Sequence, residues 1–169
     1  MATTAKLYSY NFTSVRTYLF AIIFIAGNLL LPQLAHFVPN GGPMLLPIYF
    51  FTLIAAYKYG IRVGLLTALL SPLINSLLFG MPMMAMLPVI LIKSTLLATA
   101  ASYAAKYFGK ISFVGVLLSI VAYQVVGAGF EWVLLQDINA ALQDFTLGFP
   151  GMLIQLFGGY ALLKAIAKV

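Results

Sequence analysis

From Leu19 to Leu31 the chain carries a single polar side chain, Asn28, and apolar runs of the same kind recur along its length. A helix that is apolar all round has no face to offer water, so it is either buried in a large protein or surrounded by lipid. Of 169 residues, 63% are hydrophobic and 7% charged, against about a quarter charged in a soluble domain. So few charges cannot cover a water-facing surface, and lipid must be the solvent for most of it. A β-barrel would alternate polar and apolar residues along each strand, and these runs do not. The sequence therefore predicts an all-α integral membrane protein folded as one compact bundle.

A hydrocarbon core of about 30 Å takes roughly 20 apolar residues per helical crossing. On that measure residues 1–169 form a single membrane domain of six transmembrane helices, at about 14–37, 43–59, 63–79, 85–105, 111–132 and 146–163. The breaks fall on turn chemistry: Pro39-Asn40-Gly41-Gly42-Pro43, Tyr59-Gly60, Phe79-Gly80-Met81-Pro82, Phe108-Gly109-Lys110 and the polar stretch from Leu134 to Asp144. The lead from Met1 to Ser14 runs into an apolar segment too long for a signal-peptide core and without a small-residue cleavage site, so the first span is expected to be retained. With no cysteine, neither a disulfide nor a thiolate metal site is available.

Orientation follows from the nine basic residues, because Lys and Arg near span ends are retained in the cytoplasm. Lys6 and Arg16 precede the first span, Lys58 and Arg62 flank the second loop, Lys106 and Lys110 the fourth, and Lys164 and Lys168 follow the last. The first, third and fifth loops carry none, while Glu131, Asp137 and Asp144 lie at or beside the fifth. Both termini are thus expected on the cytoplasmic side of the cell membrane. The net charge of +6 is spread over short turns and does not form the basic face that nucleic acid requires.

Lys93 is the exception, about nine residues into the fourth span and roughly 13 Å from its outer boundary. An unpaired ammonium there costs at least about 2.5 to 3.5 kcal/mol, so it should face the bundle interior or a wet cavity. No acidic residue is expected at its depth, which leaves a bound anion or a ring of carbonyl oxygens to compensate it. It either faces a ligand, then carrying a carboxylate or phosphate, or makes a structural polar contact. Asn28, Asn75, Gln124 and Gln155 lie at similar or shallower depth, and His36, Asn40, Glu131 and Trp132 nearer the outer surface. Each taken alone fits helix packing as well as ligand contact. Their shared placement suggests a ligand pocket open to the outside. Trp132 fits an interfacial anchor or a stacking surface, and His36, as the single histidine, fits a structural role better than a metal site.

No metal site, cofactor or catalytic residue is expected. No acid other than Glu131 enters the spans, and neither Gly-x-Ser-x-Gly, His-Glu-x-x-His nor a nucleotide-binding loop occurs, which argues against an enzyme. Small residues four apart, Ala100 with Ala104, Ala101 with Ala105 and more weakly Thr17 with Ala21, permit close helix approach, either within the bundle or to a membrane partner.

The stretch Gly64-Leu65-Leu66, Ser71-Pro72-Leu73-Ile74-Asn75-Ser76-Leu77-Leu78 and Phe79-Gly80-Met81-Pro82, with Pro88 following, resembles the substrate-binding S components of energy-coupling factor (ECF) vitamin transporters. The resemblance covers residues 60–103, and six short spans with cytoplasmic termini suit the rest. The chain departs from the family pattern at Lys93, where an acidic residue is usual, and at Ala21 and Ala26, which are five apart where the family has a four-residue alanine spacing. The resemblance implies high-affinity binding of a vitamin or related micronutrient from the extracytoplasmic side. It implies as partners a transmembrane coupling subunit and two cytoplasmic ATPases, which would hydrolyse the ATP. It also implies that residues Val38 to Pro43 act as a lid. A non-transporting membrane scaffold, such as a bacterial cell-shape subunit, is the alternative that size and topology leave open.

Overall fold

The computed structural model describes residues 6–168, whose secondary structure is entirely helical. In chain order the α-helices are α1 (Val15–Ala35), α2 (Gly41–Leu45), α3 (Phe50–Tyr59), α4 (Ile61–Phe79), α5 (Leu87–Phe108), α6 (Phe113–Leu135), α7 (Ile138–Thr146), α8 (Phe149–Leu153) and α9 (Gly159–Ala165). By length and apolarity, α1, α4, α5 and α6 can each cross a membrane. Ile138–Thr146 with Phe149–Ala165, bent by 50°, makes a fifth candidate. These four long helices begin and end within three residues of the predicted spans. Three of their boundaries are set locally: Gly80 and Gly109 take left-handed conformations that stop α4 and α5, and the Ser112 side chain accepts the Gly115 N–H at the start of α6.

Two expectations are corrected. The second span, 43–59, is not one helix. Leu46 sits at φ +48° between α2 and a 3-10 turn at Pro47–Tyr49, so regular α-helix resumes only at Phe50. Pro47 explains the break: its ring disfavours helical geometry at Leu46 and it supplies no N–H. What remains, α3, is ten residues, about 15 Å of helix, half a hydrocarbon core. It is buried from Thr52 to Tyr59, with α1, α4, α5 and α9 packed against it. The second correction concerns the stretch from Leu134 to Asp144, expected to be a loop. It contains the end of α6 and most of α7, which Asp137 caps by accepting the Asn139 and Ala140 N–H groups. The last predicted span, 146–163, is interrupted by a π-turn at Ile154–Gly158.

The turns carrying the basic residues meet at one end of the bundle. There the Tyr8 N–H donates to the Lys58 carbonyl at 2.8 Å, the Arg62 guanidinium to the Tyr10 carbonyl at 3.1 Å and the Tyr57 hydroxyl to the Lys110 carbonyl at 3.2 Å. The Lys58 ammonium donates to the Ile166 carbonyl. Both ends of the described residues therefore lie beside the α3–α4 turn, sealed by stacked rings of Tyr8, Tyr10, Phe20 and Tyr59. The loops without Lys or Arg gather at the opposite end.

Candidate ligand-binding site

At that opposite end lies a cavity of about 720 Å³, within the usual range for a small organic molecule. The last turn of α1, the segment from Val38 through Tyr49, the Met81–Met86 turn and the first turns of α5 wall it, with the ends of α6 and α7. The walls are mostly apolar, supplied by Pro32, Ile48, Val89, Ile90 and several methionines. The Gly80-Met81-Pro82 turn is pinned by Ser76, whose hydroxyl donates to the Pro82 carbonyl at 2.8 Å.

Lys93 is 2% exposed and is not unpaired: its ammonium donates to Glu131 and, at 2.9 Å, to Asp144. The expectation that no carboxylate reaches its depth is overturned, for two reasons. Helix α5 starts at Leu87, so Lys93 lies only about 9 Å along it, level with Glu131 one turn from the end of α6. The side chain reaches further towards the same end, as long basic side chains in membranes do. And α7 folds back across the bundle to bring Asp144 over it. Gly127 makes the close approach possible. A Cβ there would lie 2.6 Å from Lys93 Cγ, so the lysine stem crosses α6 where it has no side chain, one turn before Glu131. With the premise of an uncompensated lysine gone, the case for an anionic ligand goes too.

Of the other predicted ligand residues, Asn75, His36 and Asn40 line the cavity with Lys93 and Glu131, as do Val38 to Pro43 of the proposed lid. Asn75 is held by Gln33, whose side-chain amide donates to its carbonyl oxygen at 3.2 Å. Asn28, Gln124 and Gln155 are buried outside the cavity lining. The Gln124 amide donates to the Tyr123 hydroxyl at 3.0 Å, which donates to Gln155 at 3.0 Å, and Gln155 reaches the Leu46 carbonyl at 3.5 Å. This relay holds the break before α3, where Tyr49 packs on Tyr123 with ring centroids 5.2 Å apart. Trp132 is 52% exposed and outside the cavity lining.

Of the polar lining residues, Tyr49, Gln143 and Asp144 are not among the predicted ligand residues. A signal for Asp144 was present, because Ile138, Ala141, Leu142 and Phe145 have the i, i+3, i+4, i+7 spacing of an amphipathic helix. Among the small-residue pairs, Thr17, Ala21, Ala101, Ala104 and Ala105 are buried within the bundle and Ala100 is half-buried. In this conformation they pack the protein's own helices. Comparison with known protein families, with curated proteins and with solved structures finds no match to this chain.

Proposed function

We propose that the protein is a membrane-embedded binder of a small organic solute, taken up from the extracytoplasmic side with the help of separate ATP-hydrolysing subunits, in the manner of an ECF S component. The observation that carries this reading is the cavity at the end without basic loops, apolar in its walls and charged at Lys93, Glu131 and Asp144. A scaffold has no use for buried charges around an empty volume, whereas a solute site needs few polar groups in an apolar cleft. Both termini would lie in the cytoplasm, where the basic turns belong. Six crossings would result if the half-length α3 with its preceding segment and the bent C-terminal pair each count as one. The exposed apolar residues of α7, Ile138, Leu142 and Phe145, would then rest at the outer membrane interface.

Two experiments test the reading. Purified in mild detergent, the protein should carry or take up a small organic molecule identifiable by native mass spectrometry. After reconstitution alone it should bind without ATP-driven accumulation, which should start only when coupling and ATPase subunits are added. A protein that retains no small molecule from extracts or vitamin mixtures would end the proposal. For orientation, reporters fluorescent only in the cytoplasm should light up after Lys168 or within the Lys106 to Lys110 turn and stay dark after Asn139. A bright Asn139 fusion would rule out the topology.

A further inference from the structure

We infer that the solute brings a positively charged nitrogen, as an amine, amidine, guanidine or protonated heteroaromatic base, which binds against Glu131 and Asp144. This rests on the solute-binding reading and narrows it to a class of ligand. Around the cavity stand one ammonium and two carboxylates. Each carboxylate gives one oxygen to Lys93: Oε2 of Glu131 and Oδ2 of Asp144. Their second oxygens accept no hydrogen bond from any described residue. Glu131 is 4% exposed, so its free oxygen has little access to anything except what occupies the cavity it lines. His36, also on the wall, is exposed and forms no ion pair with either acid among the described residues. The other lysines and arginines belong to the opposite end of the bundle.

Two carboxylates sharing one lysine in an apolar setting leave, when both are ionised, a negative charge and two acceptors unanswered. A cationic N–H donor answers both, through charge-assisted hydrogen bonds of the strong kind. An anionic group would face two carboxylates for one ammonium already engaged. A neutral ligand would leave the charge unbalanced.

The test uses probes of one size and three charges, benzamidine, benzyl alcohol and benzoate, extended to matched heteroaromatic amines, alcohols and carboxylates, with binding to the detergent-solubilised full chain read by calorimetry. The cationic members should bind at least about 10-fold more tightly than their neutral and anionic counterparts. Glu131→Gln should reduce that preference by about 10- to 100-fold. The unliganded variant should unfold no earlier than the parent, since Lys93 keeps Asp144 and one repulsion is removed. Tighter binding of the carboxylates, or equal binding of all three charges, would overturn the inference while leaving a solute site in place. So would a Glu131→Gln variant that kept the cation preference and merely lost stability. If no probe of any charge bound, the solute-binding reading itself would fall.

Discussion

Replacing Lys93 with Met should destabilise the unliganded protein by about 3 to 5 kcal/mol, the usual cost of removing one partner from a buried ion pair. The loss arises less from missing attraction than from what stays behind, two carboxylates close together with no cation. At about 2 to 4 °C per kcal/mol for a chain of this size, thermal unfolding in detergent should begin on the order of 10 °C earlier. Adding Glu131→Gln to Lys93→Met should restore a substantial part of it, because a single, partly exposed Asp144 then remains. The direction matters. An unpaired lysine would gain stability on becoming Met, as the sequence taken alone suggests, whereas a paired one must lose it. An equally or more stable Lys93→Met protein would show that the Lys93–Glu131–Asp144 cluster does not form.

The fold was legible where the membrane dictates it. Runs of apolar residues place α1, α4, α5 and α6, with glycine stops at the ends of α4 and α5, because a span in lipid must satisfy its own backbone and leaves a long, uniform signal. The short elements were hidden by the same logic. Hydropathy averages over a window of about 19 residues, so it merges α2, the 3-10 turn and α3 into one span and does not register the left-handed Leu46. At α7, counting polar residues outweighed a helical spacing that was present. Missing that helix meant missing that Asp144 folds back over the bundle. Glu131 reads as an outer-surface residue because depth along a helix makes no allowance for a lysine side chain reaching outwards. The polar residues were recognised as a group, yet composition cannot divide them. Asn75 and Lys93 reach the cavity, while Asn28, Gln124 and Gln155 belong to the packing that shapes it.

Asn28→Leu should cost about 2 to 4 kcal/mol and act on stability before ligand affinity. Helix α3 starts inside the bundle, and the first N–H groups of any helix have no partner within it. Where water is excluded these must be answered by side chains. Asn28 does this from α1: its carbonyl oxygen accepts the Phe51 N–H at 3.1 Å, while its amide donates to the Thr52 hydroxyl at 3.0 Å and the Ser71 hydroxyl at 3.3 Å. One side chain thus ties α1 to α3 and α4, aided by Gly27, where a Cβ would fall 2.6 Å from the Phe51 ring. Leucine branches at Cγ as asparagine does but is larger, so it leaves no cavity and any overpacking adds to the electrostatic cost. The two hydroxyl bonds are worth roughly 0.6 kcal/mol each, as between membrane helices generally. The hydroxyls can also turn to their own helix, as Thr67 does to the Val63 carbonyl at 2.9 Å. The Phe51 N–H has no such recourse and contributes about 1 to 3 kcal/mol when left unmet. Asn28→Asp, which keeps the acceptor but puts an unpaired carboxyl among hydroxyls where water is excluded, should lose at least as much as Asn28→Leu. Thermal unfolding of the two variants checks the order. Equal stability of Asn28→Leu and the parent would mean that α3 does not rely on Asn28, and a loss confined to ligand binding would return Asn28 to the cavity.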